Sequence, residues 1–151
     1  MSKNARILII DDDKDIRQIL AVTLEEEGYC VDTVGSGKEA VEKSYANLYN
    51  VAIIDCRLPD IEGTKLLGKL KETKPKMGKI MLTGYPSMDN AIAALNDGAD
   101  AFFLKPVNPE LLIEKIDDLV KGQEEIRALI EYGMKALEFV QGVNFKPMAT
   151  R

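Results

Sequence analysis

The sequence contains no histidine and no tryptophan, and it has two cysteines in 151 residues. Without histidine, Ser-His and Cys-His nucleophile pairs are excluded, and so are most zinc sites. Cys30 and Cys56 are too few for a disulfide framework and form no CxxC pair, so the chain reads as one suited to a reducing cytoplasm. No apolar run approaches the roughly 18 residues needed to cross a membrane, and MSKNAR passes straight into a strand-like segment rather than an apolar leader. Basic side chains are outnumbered, 20 against 25 acids, and the net charge of -5 argues against broad binding to a phosphate backbone. What remains is the chemistry of carboxylates, hydroxyls and amines.

With 46% hydrophobic residues, a chain of this length buries roughly 70% of its unfolded surface, so a core needs neither disulfides nor a structural metal. Short apolar runs alternate with amphipathic segments. Ile7 to Ile10, Val31 to Val34, Val51 to Ile54, Ile80 to Leu82 and Ala101 to Leu104 read as buried strands. Helical spacing follows each of them: Ile16, Leu20 and Leu24; Ala40, Val41 and Tyr45; Leu66, Leu67 and Leu70; Ala91, Ile92 and Leu95; Leu112, Ile116 and Leu119. Asp13, Ser36, Ser87 and Asn108 suit helix starts, Pro109 a first turn, and Gly28 and Gly98 helix ends. This alternation predicts an α/β fold with a doubly wound parallel sheet. Five units without a GxGxxG after the first strand favour the flavodoxin-like order 2-1-3-4-5, with a helical extension at the carboxyl end.

In such sheets ligands bind outside the carboxyl ends of the strands where the order reverses, here between strands 1 and 3. Strand 1 ends in Asp11-Asp12-Asp13, strand 3 in Asp55, strand 4 in Thr83-Gly84 and strand 5 in Lys105-Pro106, whereas strand 2 ends without an ionisable group. Singly, each has an ordinary explanation: aspartates before a helix cap it, a strand threonine reflects β propensity, and a lysine at an element end is solvated. Together they place carboxylates, a hydroxyl and an amine on four adjacent strands. Clustered carboxylates call for a divalent cation, and hard oxygen donors suit magnesium or manganese. One aspartate can then attack phosphorus as nucleophile, while Thr83 and Lys105 meet the charge on the phosphoryl oxygens.

ILIIDDD at 7 to 13, Asp55 with LPDIEG at 58 to 63, LTGYP at 82 to 86 and GADAFFLKPV at 98 to 107 resemble the receiver domain of two-component response regulators, over about residues 5 to 121. The resemblance implies that Asp55 is the phosphoacceptor and that a sensor histidine kinase is the phosphodonor. It implies that Asp12, Asp55 and the backbone carbonyl of Arg57 hold Mg2+ (or Mn2+), with Asp11 assisting through water. Thr83 would bind the phosphoryl group and Lys105 pair with it. Phe102 takes the position of the switch aromatic, and Arg57 and Tyr85 the positions that tune dephosphorylation. A cis peptide at Lys105-Pro106 is also implied. LTGYPSMDNA at 82 to 91 is similar to receivers of the nitrogen-regulation class, whose outputs act on transcription. On this reading the chain is a phosphoacceptor rather than an enzyme acting on a separate substrate, although it catalyses its own phosphorylation and dephosphorylation.

Two other readings bear weighing. A haloacid-dehalogenase-like phosphatase also uses an aspartyl nucleophile in a DxD motif, for which Asp11-x-Asp13, Thr83 and Lys105 qualify, but this leaves Asp55 without a role and puts Asp117-Asp118 in a helical pattern. A degenerate receiver kept as a dimerisation scaffold is disfavoured because every chemical position is filled.

The expected domains are a receiver over 5–121 and a helical extension with a frayed tail over 122–151. QEEIRALIEYGMKALEFVQG reads as a further amphipathic helix. Ile116, Leu119, Gln123, Ile126, Ile130, Gly133, Leu137 and Val140 advance in steps of three and four, with Gln123 and Gly133 as flaws in the seam. The helix either pairs two copies into a homodimer or folds back on its own domain. It is too short for a helix-turn-helix, and no direct nucleic-acid or membrane partner is expected; the output protein is unknown.

Overall fold

In the computed structural model of the chain, residues 4–84 and 87–142 are described, 89 and 90 by their backbone alone. The elements are β1 Arg6–Ile10, α1 Lys14–Glu26, β2 Cys30–Val34, α2 Gly37–Ala46, β3 Val51–Asp55, α3 Gly63–Leu66, β4 Gly78–Thr83, α4 Met88–Asn96, β5 Ala101–Leu104 and α5 Pro109–Gln141. The strands form one parallel sheet in the order β2-β1-β3-β4-β5, as the alternation predicts.

Alternating side chains divide the core into two layers. Ile7, Ile9, Val51, Ile53, Ile80 and Leu82 face α1 and α5, meeting Leu20, Leu24, Leu112 and Ile116. Leu8, Ile10, Ala52, Ile54 and Met81 face the other way, toward Ala40, Leu66, Leu67 and Ala94. Each large aliphatic residue buried here stabilises the fold by about 1.5 to 3 kcal/mol. The edge strands differ from expectation: Thr33 in β2 and Leu104 in β5 are exposed, because an edge has a neighbour on one side only.

Caps fix where the helices begin. The Asp13 carboxylate accepts from the amides of Asp15 (2.9 Å) and Ile16 (3.2 Å). Ser36 accepts from the Glu39 amide at 3.2 Å while its hydroxyl reaches the Glu39 carboxylate at 3.1 Å. Asn108 accepts from Glu110, with Pro109 in the first turn. Gly28 and Gly98 end α1 and α4 at φ 97° and 102°, which a residue with a Cβ tolerates poorly.

Two helices depart from the sequence pattern. α3 stops at Leu66, although Leu67 and Leu70 are buried as the pattern suggested. The Leu67 carbonyl accepts from the buried Lys79 amine at 2.8 Å, and the Lys71 amide goes to the Ser44 hydroxyl at 3.1 Å. The next helical hydrogen bond therefore has both its groups engaged elsewhere. α5, in contrast, does not end near Gly122 to be followed by another helix. It runs unbroken for 33 residues, about 50 Å, and an added Cβ at Gly122 would meet nothing. Its buried positions end at Gln123, whose amide interlocks with that of Asn50 at the base of the sheet. The peptide Lys105-Pro106 is cis, and so is Lys74-Pro75.

Candidate functional site

The carboxyl ends of β1, β3, β4 and β5 converge on a pocket built from Asp11, Asp12, Asp55, Thr83 and Lys105. One oxygen from each of Asp11, Asp12 and Asp55 lies within 4.8 Å of the others. Asp11 and Asp55 are buried, and Asp12 is exposed. The Lys105 amine crosses between them, 2.9 Å from Asp11 Oδ2 and 3.4 Å from Asp55 Oδ2. Three carboxylates against one ammonium leave a site that a hard divalent cation would balance, and the donor oxygens fit such an ion.

The loops hold these groups from outside. Asp11 receives the Asp13 amide at 2.9 Å on its carboxylate and the Arg17 guanidinium at 2.7 Å on its carbonyl. Asp55 Oδ1 accepts from the Arg57 amide at 3.2 Å, and Arg57 bridges back to Glu62. A Cβ on Gly63 would stand 2.3 Å from the Asp55 carbonyl, so only glycine permits this turn to close on the strand. Asp60 accepts from the amides of Gly37 and Lys38, both at 2.9 Å, and so ties the β3–α3 loop to the start of α2. The Lys105 amide donates to the Thr83 carbonyl at 2.7 Å and seats the lysine beside the threonine.

Electrostatics follow from this packing. Burial pushes the Asp55 carboxyl above its ordinary range; the Arg57 amide draws it down, the Asp11 charge raises it, and Lys105 lowers it. Burial alone would depress Lys105, yet the hydrogen bond and charge of Asp11, with the charge of Asp55, hold its ammonium above the usual value. Both directions are compatible because Lys105 sits closer to Asp11 and gives Asp55 the weaker share. Burial also raises the Cys56 thiol, while a hydrogen bond with Thr83 draws it down.

Asp13 is not part of the pocket chemistry, since its carboxylate caps α1; this removes the second aspartate of the phosphatase motif. Asp117 likewise lies on α5, where it accepts from the Tyr29 hydroxyl. Arg57 is exposed beside Asp55, and Tyr85 lies outside the described residues. Phe102 is half-buried on β5. In the β4–β5 register Met81 pairs with Phe102 and Thr83 with Leu104, which puts Thr83 and Phe102 on the same face of the sheet. Sequence reading missed Arg17, Cys56 and Asp60. Arg17, one helical turn after Asp13, is one of two cations, with Lys14, that follow the acidic run, and nothing in the sequence sets it apart from Lys14; Asp60 carried no signal either.

Comparison with known proteins gives a consistent family. Residues 7–117 match the family model described as response regulator receiver domain. The transcriptional regulatory protein GlrR of Escherichia coli K12 is 33% identical over 119 residues, covering 79% of this chain and 27% of that protein. The chain thus spans about a quarter of that relative's length. A CheY-like response regulator receiver domain protein from Methanospirillum hungatei JF-1 superposes with a TM-score of 0.76 at 45% identity, over 80% of this chain and 97% of that one. The solution structure of a beryllofluoride-activated NtrC4 receiver domain dimer gives 0.73 at 33% identity, over 78% and 98%.

Proposed function

This chain belongs to the family of response regulator receiver domains, and on that premise we propose that it takes a phosphoryl group from a sensor histidine kinase onto Asp55 and passes the change to an output protein. Two-component signalling is the function of the family. The observation that carries the assignment to Asp55 is the position of the Lys105 amine, within reach of that carboxylate at 3.4 Å and anchored at 2.9 Å on Asp11.

In this reading an Asp55 carboxylate oxygen attacks the phosphorus of a phosphohistidine. The new O–P bond forms as the P–N bond breaks, and its electron pair leaves on the imidazole nitrogen of the kinase. Asp11, Asp12, Asp55 and the Arg57 carbonyl would hold Mg2+ or Mn2+, which supplies positive charge to the phosphoryl oxygens. Lys105 keeps a second positive charge in the pocket, and the Thr83 hydroxyl would donate to a phosphoryl oxygen after leaving Cys56. Only the ionised Asp55 is a nucleophile, so the Arg57 amide and Lys105 favour the reaction by opposing the effect of burial. Loss of the phosphoryl group to water would occur in the same pocket. The carboxyl-terminal part of α5 pairs two copies in this reading, and transcription is the output by analogy with relatives such as GlrR.

The test is incubation with a small phosphodonor and magnesium, followed by intact-mass analysis. One phosphoryl group is expected on the native chain and none on Asp55→Asn. Undiminished labelling of that variant, or transfer at full rate with the metal chelated, would remove the assignment; label on Asp11 would revive the phosphatase reading.

A further inference from the structure

The β2–α2 turn meets the β3–α3 loop across the end of β1, the strand that lies between β2 and β3 in the sheet. The first amides of a helix find no partner within it. In α2 the Ser36 side chain accepts from the Glu39 amide, while the amides of Gly37 and Lys38 go to Asp60, both at 2.9 Å. Asp60 is exposed, yet those two amides hold its carboxyl below the ordinary carboxylate range, and its charge meets the positive end of α2. Beside it the approach is close: a Cβ on Gly37 would stand 2.2 Å from Ile61 Cγ2, so glycine lets the loop seat on the helix. Within the loop, Arg57 bridges to Glu62 and the Gly63 amide donates to the Cys56 carbonyl at 2.9 Å, so its two limbs move as one body. Leu58 and Ile61 rest on the core layer by apolar contact, which sets no direction. The hydrogen bonds of Asp60 are directional, and they tie the tip of that body to α2.

We infer that Asp60 is a positioning residue for the cation site: by clasping the β3–α3 loop to the start of α2 it holds the Arg57 carbonyl in place as a metal ligand, and metal uptake in turn tightens the clasp. This rests on the metal-dependent reading of the pocket and deepens it. Arg57 follows Asp55 by two residues, and its amide is already engaged by Asp55 Oδ1 at 3.2 Å, so its carbonyl moves with the loop and with nothing else. An oxygen ligand contributes to the affinity for a hard cation only while it is held at bonding distance. A loop free to tilt at its tip presents that oxygen for part of the time, and the affinity falls in proportion to the population that is correctly seated. Asp60 itself stays engaged with α2 and need not touch the metal.

Two substitutions in the full chain open the clasp from opposite sides. Asp60→Ala removes both acceptors, and Gly37→Ala drives Ile61 away without any change of charge. In amide NMR titrations with Mg2+ alone, each should weaken binding about threefold or more, and the double variant should lose less than the two losses multiplied, because both break one contact. Native affinity in either variant would overturn the inference; a loss confined to Asp60→Ala would mark the effect of its charge alone. Coupling is reciprocal, so saturating Mg2+ should slow hydrogen exchange at the Gly37 and Lys38 amides of the native chain by a similar factor. Exchange there that ignores the metal would overturn the coupling, since a cap that merely stabilises α2 leaves both measurements unmoved. A native chain that takes up no Mg2+ would remove the metal reading of the pocket, and this inference with it, whereas a failure of the clasp alone leaves that reading standing.

Discussion

Gln123 and Asn50 hold one another across 73 positions of sequence: the Asn50 amide donates to Gln123 Oε1 at 3.0 Å, and Gln123 Nε2 donates back to the Asn50 carbonyl at 2.8 Å. Gln123 Nε2 also reaches the Lys76 carbonyl at 2.9 Å, and Asn50 Oδ1 accepts from the Arg6 amide at 2.9 Å. One cluster thus joins the starts of β1 and β3, the loop before β4, and α5. Gln123→Leu leaves the Asn50 amide and the Lys76 carbonyl buried without this partner, at an expected cost of about 1 to 3 kcal/mol in urea denaturation. The Gln123→Leu and Asn50→Ala effects should fall short of adding, because the residues share an interaction. Strict additivity would mean the two amides act independently.

Asp13→Ala should cost about 1 kcal/mol of stability and leave the phosphorylation rate unchanged, since the Asp13 carboxylate caps α1 and its contact with Asp11 is made by the backbone amide, which alanine keeps. A large loss of phosphorylation at full occupancy of the fold would place Asp13 in the chemistry after all.

Thr83 and Phe102 share one face of the sheet on neighbouring strands, and the Thr83 hydroxyl engages Cys56 in this state. Binding of beryllofluoride, a mimic of the phosphoryl group, should draw Thr83 away from Cys56 and let the Phe102 ring turn inward, a population shift of a few kcal/mol at most. Ring resonances of Phe102 identical with and without the mimic would reject the coupling.

Arg57 and Tyr85 each stand two positions beyond a pocket residue, Asp55 and Thr83. Both are bulky residues at the positions that tune dephosphorylation in receivers, and on that likeness they should slow loss of the phosphoryl group, so replacing both with alanine is expected to shorten the lifetime of the labelled form. An equal or longer half-life would show that water arrives by another route.

Alkali should unfold the protein through two tyrosines. Burial, followed by hydrogen bonding to Asp117 and Asp32, raises the hydroxyls of Tyr29 and Tyr49 above the ordinary tyrosine range. A group whose pKa is raised on folding contributes stability that is complete below its unfolded pKa and is lost as pH climbs beyond it. Stability should therefore hold up to about pH 10 and fall above it. Tyr29→Phe with Tyr49→Phe should flatten that fall, as measured by denaturant midpoints across the alkaline range.

The parts of the fold that were legible in the sequence are those with local causes. Asp13, Ser36 and Asn108 cap the helices that follow them, and Asp11, Asp55, Thr83 and Lys105 end strands whose apolar runs mark them. Once the strand order is known, the convergence of those four follows. What escaped the sequence has a distant cause. α3 is cut short by Lys79, which takes the carbonyl of Leu67 twelve residues earlier. Asp60 holds α2 from a loop 22 to 23 residues away. Gln123 looked like a defect in a heptad seam because the partner that makes it fit, Asn50, lies just before the central strand β3 rather than on another helix. Gly122 looked like a helix end, but glycine stops a helix where the chain must turn left-handed, and here nothing makes it turn.

The uninterrupted α5 gives the protein mechanical leverage. From its anchorage at Gln123 to Gln141 the helix projects about 27 Å beyond the sheet. A rotation of the helix by about ten degrees about that fulcrum carries its far end nearly 5 Å, by the straight-rod geometry of an α-helix. The displacement grows with distance from the pivot, so a rearrangement too small to notice beside Asp55 becomes a change of address for whatever is held at the tip.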